Sequence, residues 1–188
     1  MNYFMRLFIA VDIDNPEIQS KLKKFQNALR NIDADLKLVE LSNLHVTLRF
    51  IGEVRDALAP QIADRLSRLS GNSFKMHLVG VGAFPNLDYP RVIWVGVSEG
   101  GNEAALLHDS IEELIMDLVG KDKDGGFSPH ITMARVRSGR NRNKLIQVIN
   151  QWQNIDFGWQ DIKSIKLKKS TLTPQGPIYE DISEVKLS

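Results

Sequence analysis

The chain contains no cysteine. Disulfides, thiolate nucleophiles and zinc–sulfur sites are therefore excluded, and a reducing, cytoplasmic setting is the expectation. It also lacks any apolar run long enough to span a bilayer. The apolar start, Met1 to Ala10, is short and meets Asp12 and Asp14, which argues against a secretory signal; Met5 to Ile13 already reads as a complete strand. Charge of one sign is missing too: 24 Lys and Arg against 23 Asp and Glu leave a net +1, so any affinity for a polyanion must come from local patches. The glycine-rich strand-to-helix turn of doubly wound nucleotide-binding folds is absent, as is His-x-x-x-His metal-ligand spacing. No linker or low-complexity segment divides the 188 residues, which suit one ordinary domain or two small lobes sharing a core.

Histidine and threonine are scarce, four of each, and half of each falls in two copies of one pattern: His45-Val46-Thr47 and His130-Ile131-Thr132. Both copies lie in runs that read as β-strands, Leu44 to Phe50 and His130 to Val136. Residues i and i+2 of a strand share a face, so each copy sets an imidazole beside a hydroxyl and turns its apolar neighbours the other way.

The remaining pattern predicts strands over 5–13, 36–40, 73–84 and 91–97, with two more over 157–171 and 178–187. Helices are predicted over 57–69, 102–119 and 141–152, and after Asp14 or Asn15, where Pro16 fits the first helical position and Ile18, Leu22, Phe25 and Leu29 share a face. Strands and a helix lead to one motif strand, then strands and a helix lead to the other. The expected fold is α+β, bilobal and pseudo-twofold, with two mostly antiparallel sheets facing a central cleft and helices outside, over 1–188 as one unit.

With the motif strands on opposite walls of that cleft, an imidazole stands on each side. One neutral and one protonated imidazole suit in-line displacement at phosphorus: one takes a proton from water, the other gives a proton to the leaving alkoxide. Threonine hydroxyls can bond the non-bridging oxygens, and the scheme needs no metal or other cofactor. A strained cyclic phosphodiester is a natural substrate for so small a set of groups.

The stretches Asn43 to Glu53 and Phe127 to Arg135 closely resemble the paired motifs of the 2H phosphoesterase superfamily, and within it the RNA 2′,3′-cyclic phosphodiesterases, also called 2′-5′ RNA ligases. Arg6 to Asp12, Gly80 to Val97 and Leu172 to Tyr179 are similar as well, so the resemblance covers nearly the whole chain. It implies hydrolysis of an RNA 2′,3′-cyclic phosphate to a 2′-phosphomonoester. It also implies roles: His45 as general acid, His130 as general base, Thr47 and Thr132 on the phosphate. The residues themselves leave the choice between acid and base open.

Further substrate contacts are expected from three residues. Arg49 shares a face with His45 and Thr47 and could meet a phosphate, or be a solvated strand-end arginine. Arg135 could stack on a base, although simple alternation turns it away from Thr132 unless the strand bulges. Phe8 could offer an aromatic face, or belong to the core. Tyr179 reads as structural. The run Arg135, Arg137, Arg140, Arg142, Lys144 suits an RNA backbone or a solvated surface, and Lys163, Lys166, Lys168 and Lys169 read as a solvated strand face. His77 falls on a polar face with Lys75, and His108 is expected to pair with Glu112 on a helix surface. A metal enzyme, a non-catalytic RNA-binding module using the same cleft, and a 2′-5′ ligase are the competing readings; a monomer acting on RNA ends or cyclic nucleotides, away from membranes, is the expectation.

Overall fold

A computed structural model describes residues 3–123 and 126–188; Met1, Asn2 and, within the expected loop from Lys121 to Gly126, Asp124 and Gly125 lie outside the described residues. The elements run β1 (Phe4–Asp12), α1 (Pro16–Arg30), β2 (Leu36–Leu38), a 3-10 turn (Leu41–Asn43), β3 (His45–Arg55), α2 (Leu58–Leu66), β4 (Phe74–Phe84), β5 (Val92–Glu99), α3 (Gly101–Val119), β6 (His130–Val136), α4 (Arg142–Trp152), β7 (Asp156–Ile162), β8 (Ser164–Thr173) and β9 (Gly176–Lys186). The Asn15 side chain caps α1 by accepting from the Glu17 and Ile18 amides, satisfying two donors that the first turn leaves free. Ile18, Leu22, Phe25 and Leu29 are all buried, as their spacing predicts.

Every strand pair is antiparallel. The hydrogen-bonded order is β7-β4-β5-β6-β3-β1-β8-β9, with β2 also on β6. Two four-stranded arms thus meet at β3 and β6, where the register consists of one pair, Val46 with Ile131. Beyond it β3 peels away, and β2 takes the vacated edge of β6 at Ala134–Val136. The expected two sheets are therefore arms of one path, and the motif strands are neighbours at the seam between them. The order is pseudo-symmetric: β1 precedes a helix and β3, and β5 precedes a helix and β6.

Helices α2 and α3 pack on β3, and α1 and α4 pack on β7 and β4 respectively. Their apolar faces and the inward rows of the strands, among them Leu7, Ile9, Val46, Leu48, Ile93, Val95, Ile131 and Met133, form the core. The stretch expected as one strand over 157–171 is two. Asp156–Ile162 pairs with β4 in one arm, Ser164–Thr173 pairs with β1 in the other, and Lys163 turns the chain between them. Continuous β-propensity gives no sign of that change of partner. Among the described residues no helix is long and apolar enough to cross a membrane.

Candidate active site at the seam of the sheet

An antiparallel pair centred on Val46 and Ile131 places His45 on the side of Thr132 and Thr47 on the side of His130. Val46 and Ile131 are fully buried, so the two imidazoles and two hydroxyls share the opposite, cleft-facing side. The result is a square with the histidines on one diagonal. With strands about 4.8 Å apart and about 6.6 Å per two residues, that diagonal is about 8 Å between Cα atoms, enough for one phosphoryl group between the rings.

Both imidazoles are fixed in the same way. His45 Nδ1 lies 2.7 Å from the Asn43 carbonyl oxygen, and His130 Nδ1 lies 2.8 Å from that of Ser128. A carbonyl only accepts, so each Nδ1 carries the proton and donates it, and each Nε2 is left for chemistry. His45 Nε2 lies 3.1 Å from Thr47 Oγ1. An aromatic ring supports each imidazole: Phe8 against His45 at 5.0 Å between centroids, Phe84 edge-on against His130 at 4.9 Å. Burial pushes the His45 pKa below the ordinary histidine value. The bond to the Asn43 carbonyl opposes this, and the nearby Lys168 charge reinforces it.

Matching bulges shape the two motif strands. The β1–β3 register skips Leu48 and the β5–β6 register skips Met133, so two consecutive residues turn into the core on each strand: Leu48 and Arg49, Met133 and Ala134. The next residues, Phe50 and Arg135, consequently emerge on the cleft side, and both are exposed. Arg135 thus reaches the face of Thr132 that simple alternation denied it.

The same bulge removes Arg49 from the cleft. It is 4% exposed; Nε donates to Glu112 Oε2 at 2.6 Å, Nη2 to the Gly120 carbonyl at 2.8 Å, and Asp122 lies 3.5 Å away. Its expected place on the phosphate is corrected to a cross-link between β3, α3 and the loop toward the second motif. Phe8 is corrected as well. At 4% exposure, packed between His45 and Tyr179, it backs the imidazole and offers no free face to a base. His108 is not paired with Glu112: its Nδ1 donates to the Leu48 carbonyl at 2.7 Å and its ring stacks on Phe127. His77 stacks on Trp159 and meets Asp156 at 3.0 Å, away from the motif strands.

Sequence reasoning missed the wall beside His45. Lys166 and Lys168 are not a solvated face; each ammonium bonds both Asp12 and Asp181, at 2.7–2.9 Å, and Lys168 is 7% exposed. Asp12, Ser42, Asn43, His45, Lys168 and Tyr179, with Asp181, line a polar cavity of about 330 Å³. On the other arm Trp94 pairs with Thr132, and its indole occupies the space a side chain at Gly82 would fill. The expected basic run after the second motif does not converge: Arg140 is held by Asp33, and Arg142 lies over Tyr89. Among the described residues no group of three or more His, Asp or Glu is placed to hold a metal ion.

The chain is similar to known proteins in sequence and in fold. The family described as LigT-like phosphoesterase matches twice, over residues 11–94 and 95–179, one match for each motif. The RNA 2′,3′-cyclic phosphodiesterase of Methanocaldococcus jannaschii is 41% identical over 96% of this chain and 99% of its own. That of Archaeoglobus fulgidus is 40% identical over 95% and 98%. Among solved structures, TT0787 of Thermus thermophilus superposes with a TM-score of 0.77 at 29% identity, covering 97% of each chain. Escherichia coli LigT complexed with 3′-AMP superposes with a TM-score of 0.81 over 99% of each chain and, at 21% identity, shows the shared fold. The chain belongs to the LigT-like phosphoesterases, the 2H group that its paired His-x-Thr strands resemble.

Proposed function

We propose that this protein hydrolyses RNA 2′,3′-cyclic phosphate ends to 2′-phosphomonoesters, working as one bilobal unit over its whole length in the cytoplasm. The observation that carries the reading is the square of His45, Thr47, His130 and Thr132, with both Nδ1–H groups tied to backbone carbonyls and His45 Nε2 beside the Thr47 hydroxyl. The names of its relatives support the substrate class. A water oxygen attacks phosphorus and gives its proton to His130 Nε2. The bond from phosphorus to O3′ breaks on the opposite side, and His45 Nε2 delivers a proton to O3′. Thr47 and Thr132 donate to the non-bridging oxygens, where charge accumulates. The assignment of acid and base follows the family resemblance, because the two imidazoles are held alike. Burial holds the His45 pKa low; a phosphate anion beside Nε2 raises it toward the protonated form the acid needs. The same square can join RNA through a 2′-5′ linkage when a hydroxyl of a second strand replaces water, provided that strand is held well enough to compete.

The test is hydrolysis of an oligonucleotide ending in a 2′,3′-cyclic phosphate, with a strong chelator present, by wild type, His45→Ala and His130→Ala. Turnover to a 2′-phosphate by wild type and loss of at least about 100-fold in each variant is expected. Binding without turnover by wild type would instead make the cleft an RNA-binding module.

A further inference from the structure

Cations at the cleft divide by whether they are already neutralised. Lys166 and Lys168 share Asp12 and Asp181. Arg6 and Arg135 make no ion pair with a carboxylate among the described residues; burial raises the Tyr179 pKa, and both guanidinium charges lie close enough to oppose that rise. Arg6 and Tyr179 occupy one row of the sheet, through Ser170, which pairs with both. Arg135 comes from the other arm. One end of the cleft therefore presents carboxylates balanced by lysines, and the other presents free guanidinium groups from both walls.

Arg6 is also pre-positioned. Its guanidinium lies over the Phe50 ring, 5.0 Å from the centroid. Phe50 is a large apolar side chain left 40% exposed, brought to this face by the bulge that buried Arg49. Stacking on an aromatic face holds the guanidinium plane while leaving its edge donors for a phosphate. Glu53, its cross-strand neighbour, lies beyond ion-pair distance. Arg6 is four residues along β1 from Ala10, which pairs with Thr47. At about 3.3 Å per residue that is about 13 Å, too far for the phosphate being cleaved and within the span of a nucleotide or two of RNA.

We propose that Arg6, stacked on Phe50, binds an internal phosphodiester upstream of the cyclic end, so that the RNA strand leaves the site between Arg6 and Arg135. The enzyme then prefers an oligonucleotide to a cyclic mononucleotide. The inference rests on the phosphodiesterase reading above. Its test compares kcat/KM for a tetranucleotide ending in cytidine 2′,3′-cyclic phosphate with that for the free cyclic mononucleotide, using wild type, Arg6→Gln and Phe50→Leu. Wild type should favour the tetranucleotide. Arg6→Gln should lose about tenfold on it and stay within about twofold of wild type on the mononucleotide, Phe50→Leu should lose less, and Arg6→Gln should lower the salt slope by about 1. Equal loss on both substrates, or loss on neither, overturns this proposal alone. Wild type cleaving neither substrate overturns the phosphodiesterase reading and this one with it. Should Arg6→Gln fail to fold, as its circular dichroism would show, Phe50→Leu carries the same comparison: loss confined to the tetranucleotide supports the proposal, and equal loss or none overturns it.

Discussion

Arg49→Met removes a buried guanidinium that joins the first motif strand to α3 and to the loop beyond it. In wild type, Nε meets Glu112 at 2.6 Å, Nη2 meets the Gly120 carbonyl at 2.8 Å, and Asp122 stands 3.5 Å away; the side chains of Arg49 and Glu112 are both largely screened from water. Methionine fills much of the same volume and donates nothing. Glu112 keeps the Asp122 amide at 2.6 Å, but its charge stays buried without a cation. Removing one partner of a buried pair costs about 3–5 kcal/mol. In a protein of this size about 1 kcal/mol moves the melting temperature by about 2–4 °C, so a fall of about 6–20 °C is expected. Thermal and urea unfolding followed by circular dichroism measure it, with the exposed Lys23→Met as a control that stays within about 0.5 kcal/mol. The double variant Arg49→Met/Glu112→Gln should be more stable than the single one, because the orphaned charge is gone. A single variant melting within about 2 °C of wild type would refute the cross-link and return Arg49 to the role of a surface arginine.

Activity against pH should be bell-shaped, since one imidazole must be neutral and the other charged. Lys168→Met should move the His45 limb of kcat/KM to higher pH: the lost ammonium disfavoured the charged imidazole, and the remaining Asp12 favours it, so His45 holds its proton further up the pH scale. A limb that stays in place would remove Lys168 from the tuning of His45. Thr47→Val and Thr132→Val should each slow turnover by about 10- to 1,000-fold through lost bonds to the phosphate, measured at saturating substrate; unchanged rates in both would exclude the hydroxyls from the mechanism. Gly82→Ala places a methyl 2.3 Å from Trp94 Cζ2, so the indole must move; a loss of about 1–3 kcal/mol in urea unfolding is expected, and wild-type stability would show that Trp94 yields freely.

Local pattern and chemistry were enough to read the motif strands, the face that His45, Thr47, His130 and Thr132 share, the capped first helix and the antiparallel α+β class. These depend on i, i+2 alternation, on 3.6-residue spacing and on Asn15 before Pro16, all of which act within a few residues. The twofold rhythm of the elements was visible for the same reason, and the two successive family matches follow it. Tertiary structure alone decided where alternation fails. The bulges at Leu48 and Met133 exist because β1 and β5 set the register from outside each motif strand, and they exchanged the expected fates of Arg49 and Arg135. The pairing of Lys166 and Lys168 with Asp12 joins residues more than 150 positions apart across β1 and β8, and no spacing rule reaches that far. The seam itself, Val46 against Ile131, is a long-range contact: the sequence determined that each imidazole shares a strand face with a hydroxyl, and only the closing of the sheet set the two pairs side by side.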